Sequence, residues 1–253
     1  ELTDEKAYTG HTNSVWCAIA TPEILVSGGA DATLRIWDRA TTNTIKVLDD
    51  HLDSVFCVDL SPSLMASGSW DCTCILWSVK DFKVKTRLEG HTDAVWRLQL
   101  EEEQGRLLTA SWDGWCCLWD LNTVRILERY QGDVSILGAH LNNETNEIWA
   151  LNREGVLFMW DTRQSSIVST HAMQGCTRFC IADEYKSAFG HSDGSIKVYD
   201  ARKFDTSKEG LVLASGLGDH VISLAPYNPN PKHGPSTLAA GYYDGTVALW
   251  SFC

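Results

Sequence analysis

No stretch of this sequence approaches the roughly 20 consecutive apolar residues that a membrane-spanning helix needs. Its first residues, ELTDEK, are acidic where a secretory signal opens basic. The expectation is therefore a cytoplasmic protein, with the nucleus as the alternative location and no membrane partner. An initiating Met is missing too, so a fragment or processed form is expected, with further segments before Glu1 left open. Positive charge is scarce: 21 Lys and Arg stand against 33 Asp and Glu, a formal net charge of −12. That balance opposes a polyanionic phosphate backbone, and nucleic acid is excluded as a partner. The run Lys80 to Arg87 interleaves its cations with apolar residues and reads as a solvated strand edge.

Chemical motifs are as sparse. Nine Cys are present, but the near pairs Cys72/Cys74, Cys116/Cys117 and Cys176/Cys180 do not form the two spaced Cys-x-x-Cys pairs of a zinc module. Most of the nine lie in apolar runs and read as free, buried thiols. There is no Gly-rich phosphate loop, metal-ligand array or nucleophile elbow. Neither a cofactor, a metal nor an enzymatic activity is expected.

What the chain has is repetition. With 253 residues, 44% of them hydrophobic, it can bury a sizeable core as a single domain spanning 1–253. From Gly90 to Asp120 it reads Gly-His, a short apolar run (Ala94 to Leu100), an acidic loop, a second run (Leu107 to Ser111), an Asp-Gly turn and a third run ending Trp-Asp. Three short strands per unit are implied. The closing aromatics Trp37, Trp77, Trp119, Trp160, Tyr199 and Trp250 recur 40, 42, 41, 39 and 51 residues apart, a period in the range of a four-stranded blade. Six residues before each stands an acid: Asp31, Asp71, Asp113, Glu154, Asp193 and Asp244. Four of these acids precede Gly, which is hairpin chemistry because glycine accepts positive φ.

Gly10-His11, Gly90-His91, the degenerate Asp50-His51 and the Trp-Asp ends resemble the WD-repeat (WD40) family across nearly the whole chain. The resemblance implies an all-β fold, a WD40 β-propeller of six four-stranded blades around a channel. In related propellers the N-terminal segment closes the ring as the outer strand of the last blade, a role that falls here to Thr3 to Tyr8. A seventh blade lost upstream is the competing expectation. The stretched last repeat contains Pro226 to Pro235, read as a solvated loop between strands.

His11, Ser27 and Asp31 look like a hydrolase triad, but the set recurs as His51, Ser67 and Asp71 and again as His91, Thr109 and Asp113. An enzyme needs one nucleophile beside one oxyanion hole, not three equivalent copies. In the family these groups form a buried chain from carboxylate to imidazole to hydroxyl to the indole N–H of Trp37, Trp77 or Trp119. Ala150, Phe189 and Ala240 replace the hydroxyl in the later repeats.

Function is expected on the face that carries the Gly-His loop and the turn acid. Five residues after the His come Trp16, Phe56 and Trp96; before the turn acid come Trp70, Trp112, Arg153 and Tyr243, with Ala30 and Ser192 in the remaining repeats. This aromatic-rich set is the candidate partner-binding surface. It suits an apolar or Arg/Lys-containing peptide rather than a phosphorylated one, since convergent Arg is lacking. The regular repeats resemble the propeller of F-box/WD-repeat proteins, which recruit substrates to a cullin-RING (SCF) ubiquitin ligase; the ligase adaptor would then be met by a segment outside this chain. The alternative is a constitutive scaffold subunit of a multiprotein complex. Because the polar chain is complete only in repeats one to three, amide exchange measured by mass spectrometry should be slower there than in repeats four to six; the reverse order would refute the bracing role.

Overall fold

The computed structural model describes residues 6–143, 145–183, 186–200, 204, 210–214, 219–227 and 236–252, and every regular element among them is a β-strand. The first sheet holds β1 (Val15–Ala20), β2 (Ile24–Gly29), β3 (Leu34–Asp38) and β4 (Thr44–Leu48). The second holds β5 (Val55–Leu60), β6 (Leu64–Ser69), β7 (Cys74–Ser78) and β8 (Val84–Leu88), and the third β9 (Val95–Glu101), β10 (Arg106–Ser111), β11 (Trp115–Asp120) and β12 (Arg125–Gln131). The fourth sheet comprises β13 (Ile136–Asn142), β14 (Glu147–Asn152), β15 (Val156–Asp161) and β16 (Ser166–Ala172). The fifth is β17 (Cys176–Asp183), β18 (Lys186–His191), β19 (Ile196–Asp200) and β20 (Leu211–Ala214), and the sixth β21 (Val221–Tyr227), β22 (Ser236–Tyr242) and β23 (Val247–Phe252). Strands pair antiparallel in sequence order, which is the blade pattern of a β-propeller.

Two compact units divide the chain, Glu1–Ala139 and His140–Cys253, the boundary falling inside β13. Within each, strand alternation gives every sheet two apolar faces. In the first unit Val26, Leu34 and Ile36 of the first sheet pack on Val55, Met65, Ile75 and Trp77 of the second. Cys57, Ala66, Cys74 and Leu76 of the second in turn pack on Val95, Leu107, Cys117 and Trp119 of the third. In the second unit Ala188, Ile196 and Val198 meet Val221, Leu224, Leu238, Ala240 and Tyr242. A valine at the start of one sheet lies in a notch left by a glycine of its neighbour. A Cβ on Gly28 would stand 2.8 Å from Val55 Cγ1, on Gly68 2.7 Å from Val95 Cγ1, and on Gly190 2.5 Å from Val221 Cγ1.

The residue after each turn acid takes a left-handed backbone: Gly114, Gly155, Gly194 and Gly245, but also Ala32 (φ 63°) and Cys72 (φ 67°). The hairpin between the second and third strands of each sheet therefore forms even where glycine is missing. Lys80 to Arg87 leads into and through β8, at the outer edge of its sheet, with Lys83 and Lys85 exposed. Pro226 and Tyr227 end β21, an edge strand of the sixth sheet among the described residues, where Pro226 pairs with Leu238; the rest of the proline-rich stretch lies outside the described residues.

The sixth sheet has three strands among the described residues. Of the segment expected to supply a fourth, residues 3–5 lie outside the described residues and Lys6 to Tyr8 form no strand. Lys6 Nζ donates to the carbonyl of Arg39 at 2.9 Å, and the Tyr8 ring meets Trp37 edge-on at 5.9 Å, so both lie against the first sheet.

A non-glycine residue held left-handed costs about 1–2 kcal/mol, part of which a glycine returns through its freer unfolded chain. Ala32→Gly and Cys72→Gly should each raise stability by about 0.5–1 kcal/mol in urea unfolding, whereas Ala30→Gly, at ordinary φ, should lower it.

Candidate functional site

The three catalytic-looking sets are three copies of one structural chain. His11 Nδ1 lies 2.9 Å from Asp31 Oδ2, its Nε2 2.8 Å from Ser27 Oγ, and Trp37 Nε1 donates to that hydroxyl at 2.8 Å. The second copy repeats this with His51–Asp71 at 2.8 Å, His51–Ser67 at 2.8 Å and Trp77–Ser67 at 2.9 Å. In the third, the distances are 2.8 Å for His91–Asp113, 2.7 Å for His91–Thr109 and 2.9 Å for Trp119–Thr109. Each hydroxyl is buried and spent on the imidazole and the indole, which ties the sheet's second and third strands to the loop before its first. Burial alone would raise the carboxyl of Asp31, but the Thr12 N–H, the Thr33 hydroxyl and His11 outweigh it and hold the group well below the usual carboxylate range. Asp71 and Asp113 are lowered in the same way, burial being overcome by His51 and the Leu52 N–H, and by His91 and the Thr92 N–H.

The fourth and fifth sheets replace this chain with rings. Phe158 stacks on Trp160 at 5.4 Å, and Phe204 gathers Trp149 (5.0 Å), His171 (5.0 Å), Phe189 (5.5 Å) and Tyr199 (5.3 Å). Phe189, at the hydroxyl position, is thus explained by Phe204, a residue in no strand and carrying no repeat signal. Burial pushes the Cys117 and Cys176 thiols up to about 12, so neither ionises near neutral pH.

The aromatic surface is built by a recurring irregularity. In the first sheet Val15 pairs with Gly29 and Cys17 with Gly28, leaving Trp16 as an extra residue, a β-bulge. Phe56 and Trp96 occupy the same bulge in the second and third sheets. A bulged residue leaves the in–out alternation, so its side chain is re-aimed. There it meets the residue that opens the next turn. Phe56 is the hub at 7% exposure, with ring centroids 5.6 Å from Trp16, 5.4 Å from Trp70, 4.4 Å from Trp96 and 6.5 Å from Trp112. Trp96 stacks on Trp112 at 4.9 Å, and Trp70 meets Trp112 edge-on at 5.4 Å. Five of the sequence-selected residues thus form one continuous cluster within the first unit.

Their exposures differ. Trp16 and Trp70 stand 52% and 45% exposed, whereas Trp96 and Trp112 are half-buried. Trp112 Nε1 is buried and has no hydrogen-bond partner among the described residues, so ring packing rather than a polar contact places it. Carboxylates lie close by: the Cys72 thiol, in the turn that carries Trp70, is raised first by burial and then by Asp93, Asp71 and Asp113.

Arg153 and Tyr243 belong to the second unit, where both are exposed, Tyr243 at 75%. Tyr243 lines a pocket of about 330 Å³ with Thr177, Arg178, Asp219, His220, Val221 and Ile222. Thr177 and Ile222 are the bulge residues of their sheets. Arg178 Nε donates to the Ile222 carbonyl at 2.9 Å and its Nη1 to the Thr177 carbonyl at 2.7 Å. Ile222 was not visible in the sequence because the sixth repeat lacks the Gly-His that would count to it.

The depressed carboxyls of Asp31, Asp71 and Asp113 contribute stability that is complete above the unfolded value of about 3.9 and is lost as pH falls through their lower folded values. Melting temperature should therefore stay level from pH 7 to about 5 and fall steeply below about 4. Asp71→Asn should lower the neutral value and flatten the acid limb. No curated protein matches the chain. A family model, WD domain, G-beta repeat, matches residues 3–38, 42–78, 82–120 and 205–251. Those segments take in more than half of the sequence, including all three polar chains and the five clustered aromatics, and the chain belongs to the WD domain, G-beta repeat family.

Proposed function

We propose that this protein is a non-catalytic protein-interaction module whose partner lies across the aromatic cluster of the first unit. The observation that carries the reading is the pair Trp16 and Trp70, about half exposed on a base of packed rings. Apolar surface of this kind costs free energy unless something covers it, and rigid aromatic rings give contact area at little entropic cost. The negative faces of the exposed indoles suit a cation, so the partner is a peptide that brings an Arg or Lys side chain over an indole face, worth about 0.5–2 kcal/mol for each such contact. A phosphopeptide fits less well, because among the nine positions selected around the Gly-His loops and turn acids only Arg153 is an arginine, and phosphate recognition needs several that converge. Arg153 and Tyr243 extend the recognition surface of the second unit.

In the cell the module acts as the substrate-recognition part of an F-box/WD-type subunit of a cullin-RING ligase. A helical adaptor-binding segment would then precede residue 1, and the regularity of the repeats supports that assignment. A scaffold role would require a larger, permanent interface, commonly above about 2,000 Å².

Affinity capture with the wild-type protein and with a Trp70→Ala/Trp112→Ala variant tests the surface. Loss of most partner recovery is expected, with binding of an Arg-containing partner peptide weakened about tenfold or more. Equal recovery by both proteins would place the interface elsewhere.

A further inference from the structure

The pocket between the fifth and sixth sheets has a counterpart in the chain that is filled. Its framework repeats that of the junction between the second and third sheets. Val221 lies in the notch at Gly190 as Val95 does at Gly68, and Arg178 pairs with Gly190 directly after its bulge as Cys57 does with Gly68. Asp219 Oδ1 accepts from the His220 N–H at 2.9 Å, as Asp93 Oδ1 does from that of Ala94 at 2.7 Å. Tyr243 N donates to the His220 carbonyl and Trp112 N to that of Ala94, both at 3.0 Å. Thr177, Ile222 and Tyr243 therefore hold the places that Phe56, Trp96 and Trp112 hold in the other junction.

One of these places differs in kind. Phe56 is 7% exposed, its ring centroid 4.4 Å from that of Trp96 and 6.5 Å from that of Trp112, so a phenyl group fills the junction of the second and third sheets. Thr177 has no ring, and its hydroxyl is committed to the Val221 carbonyl at 2.8 Å. At its junction there is instead an open pocket of about 330 Å³, and every residue lining it belongs to the second unit. Val221, Ile222 and Tyr243 give it apolar walls. Its charge is also suited to a ring. Arg178 lines the pocket, with Nε and Nη1 donating in the guanidinium plane to the Ile222 and Thr177 carbonyls, and an aromatic face packs on a guanidinium across that plane. Asp219, the carboxylate of the lining, is met by His220 Nδ1 at 2.6 Å.

The geometry points to this pocket as a recognition site for one aromatic side chain of a partner protein, seated where Phe56 sits in the junction of the second and third sheets. An aromatic ring meets both the apolar walls and the guanidinium. An aliphatic side chain fills the same volume without the attraction to Arg178, and a Lys or Arg side chain is repelled by it. The site is separate from the aromatic cluster of the first unit and does not rest on it.

The test is nuclear magnetic resonance titration of the protein with acetyl-Gly-Phe-Gly-amide and with its leucine counterpart, reading the backbone amides of Thr177, Ile222 and Tyr243. Saturable shifts at these amides are expected with the phenylalanine peptide, and the leucine peptide should bind about threefold more weakly or less well still. Thr177→Phe supplies the ring from within the chain, as Phe56 does, and should abolish the titration while the circular dichroism stays that of the wild type. Tyr243→Ala, at an exposed position, should weaken binding about threefold or more and leave the fold intact. The Trp70→Ala/Trp112→Ala variant should titrate as the wild type does at the three amides, so failure of the first-unit surface and failure of this pocket read differently. No saturable shift with the phenylalanine peptide at its solubility limit, equal affinity for the two peptides, or binding that survives in a folded Thr177→Phe or in Tyr243→Ala would each overturn the proposal.

Discussion

The stacking of sheets rests on apolar faces brought close together, most tightly where a valine from the start of one sheet lodges where its neighbour has no Cβ. An isolated sheet with two apolar faces is not a stable object in water, and it needs a neighbour close enough to exclude solvent from both faces. Val55 over Gly28, Val95 over Gly68 and Val221 over Gly190 set that approach. Each valine is essentially fully buried, worth roughly 1.5–3 kcal/mol apiece, and brings whole faces of leucine, isoleucine and tryptophan into contact behind it. The polar chains from carboxylate to indole act at right angles to this, holding strands within a sheet rather than sheets to each other. That division of labour lets the fourth and fifth sheets drop the polar chain for ring packing around Phe204 while still stacking.

The same contact explains where function can sit. The bulge directly after the opening valine turns the next residue out of the ladder, so Val55 and Val95, which seal two sheets, are followed by Phe56 and Trp96 aimed towards the turn residues Trp70 and Trp112, and Trp16 holds the same bulge after the exposed Val15. Imidazole, hydroxyl and carboxylate, which in one copy would suggest a reaction, are committed to bracing because each hydroxyl already has two partners.

Much of the fold was legible in the sequence because repetition averages out the weakness of any single motif. Six in-phase acids six residues before an aromatic gave six hairpins, found as β2–β3 and its five equivalents. The hairpin turns survived the loss of glycine at Ala32 and Cys72, since the acid's side chain still caps the turn backbone, Asp31 Oδ1 accepting from Thr33 N and Asp71 Oδ1 from Thr73 N. Legibility failed where the period slipped. Phe204 lies outside every strand, and Ile222 follows a repeat start with no Gly-His, so neither could be reached by counting.

The element content, the hairpin turns and the membership of each polar chain follow from residue type at fixed spacing; the same spacing picked out seven surface candidates, of which packing gathers Trp16, Phe56, Trp70, Trp96 and Trp112 into one cluster and leaves Arg153 and Tyr243 in the second unit. How far each aromatic is exposed was settled by packing. Phe56 and Trp16 hold the same place in the repeat, yet one is a buried hub and the other half exposed, because burial depends on which neighbour a sheet has. Val15 and Val55, or Leu249 and Ile36, likewise differ in no local feature that a sequence records. Spacing tells a strand which face is apolar, but whether that face is covered is settled by the sheet beside it.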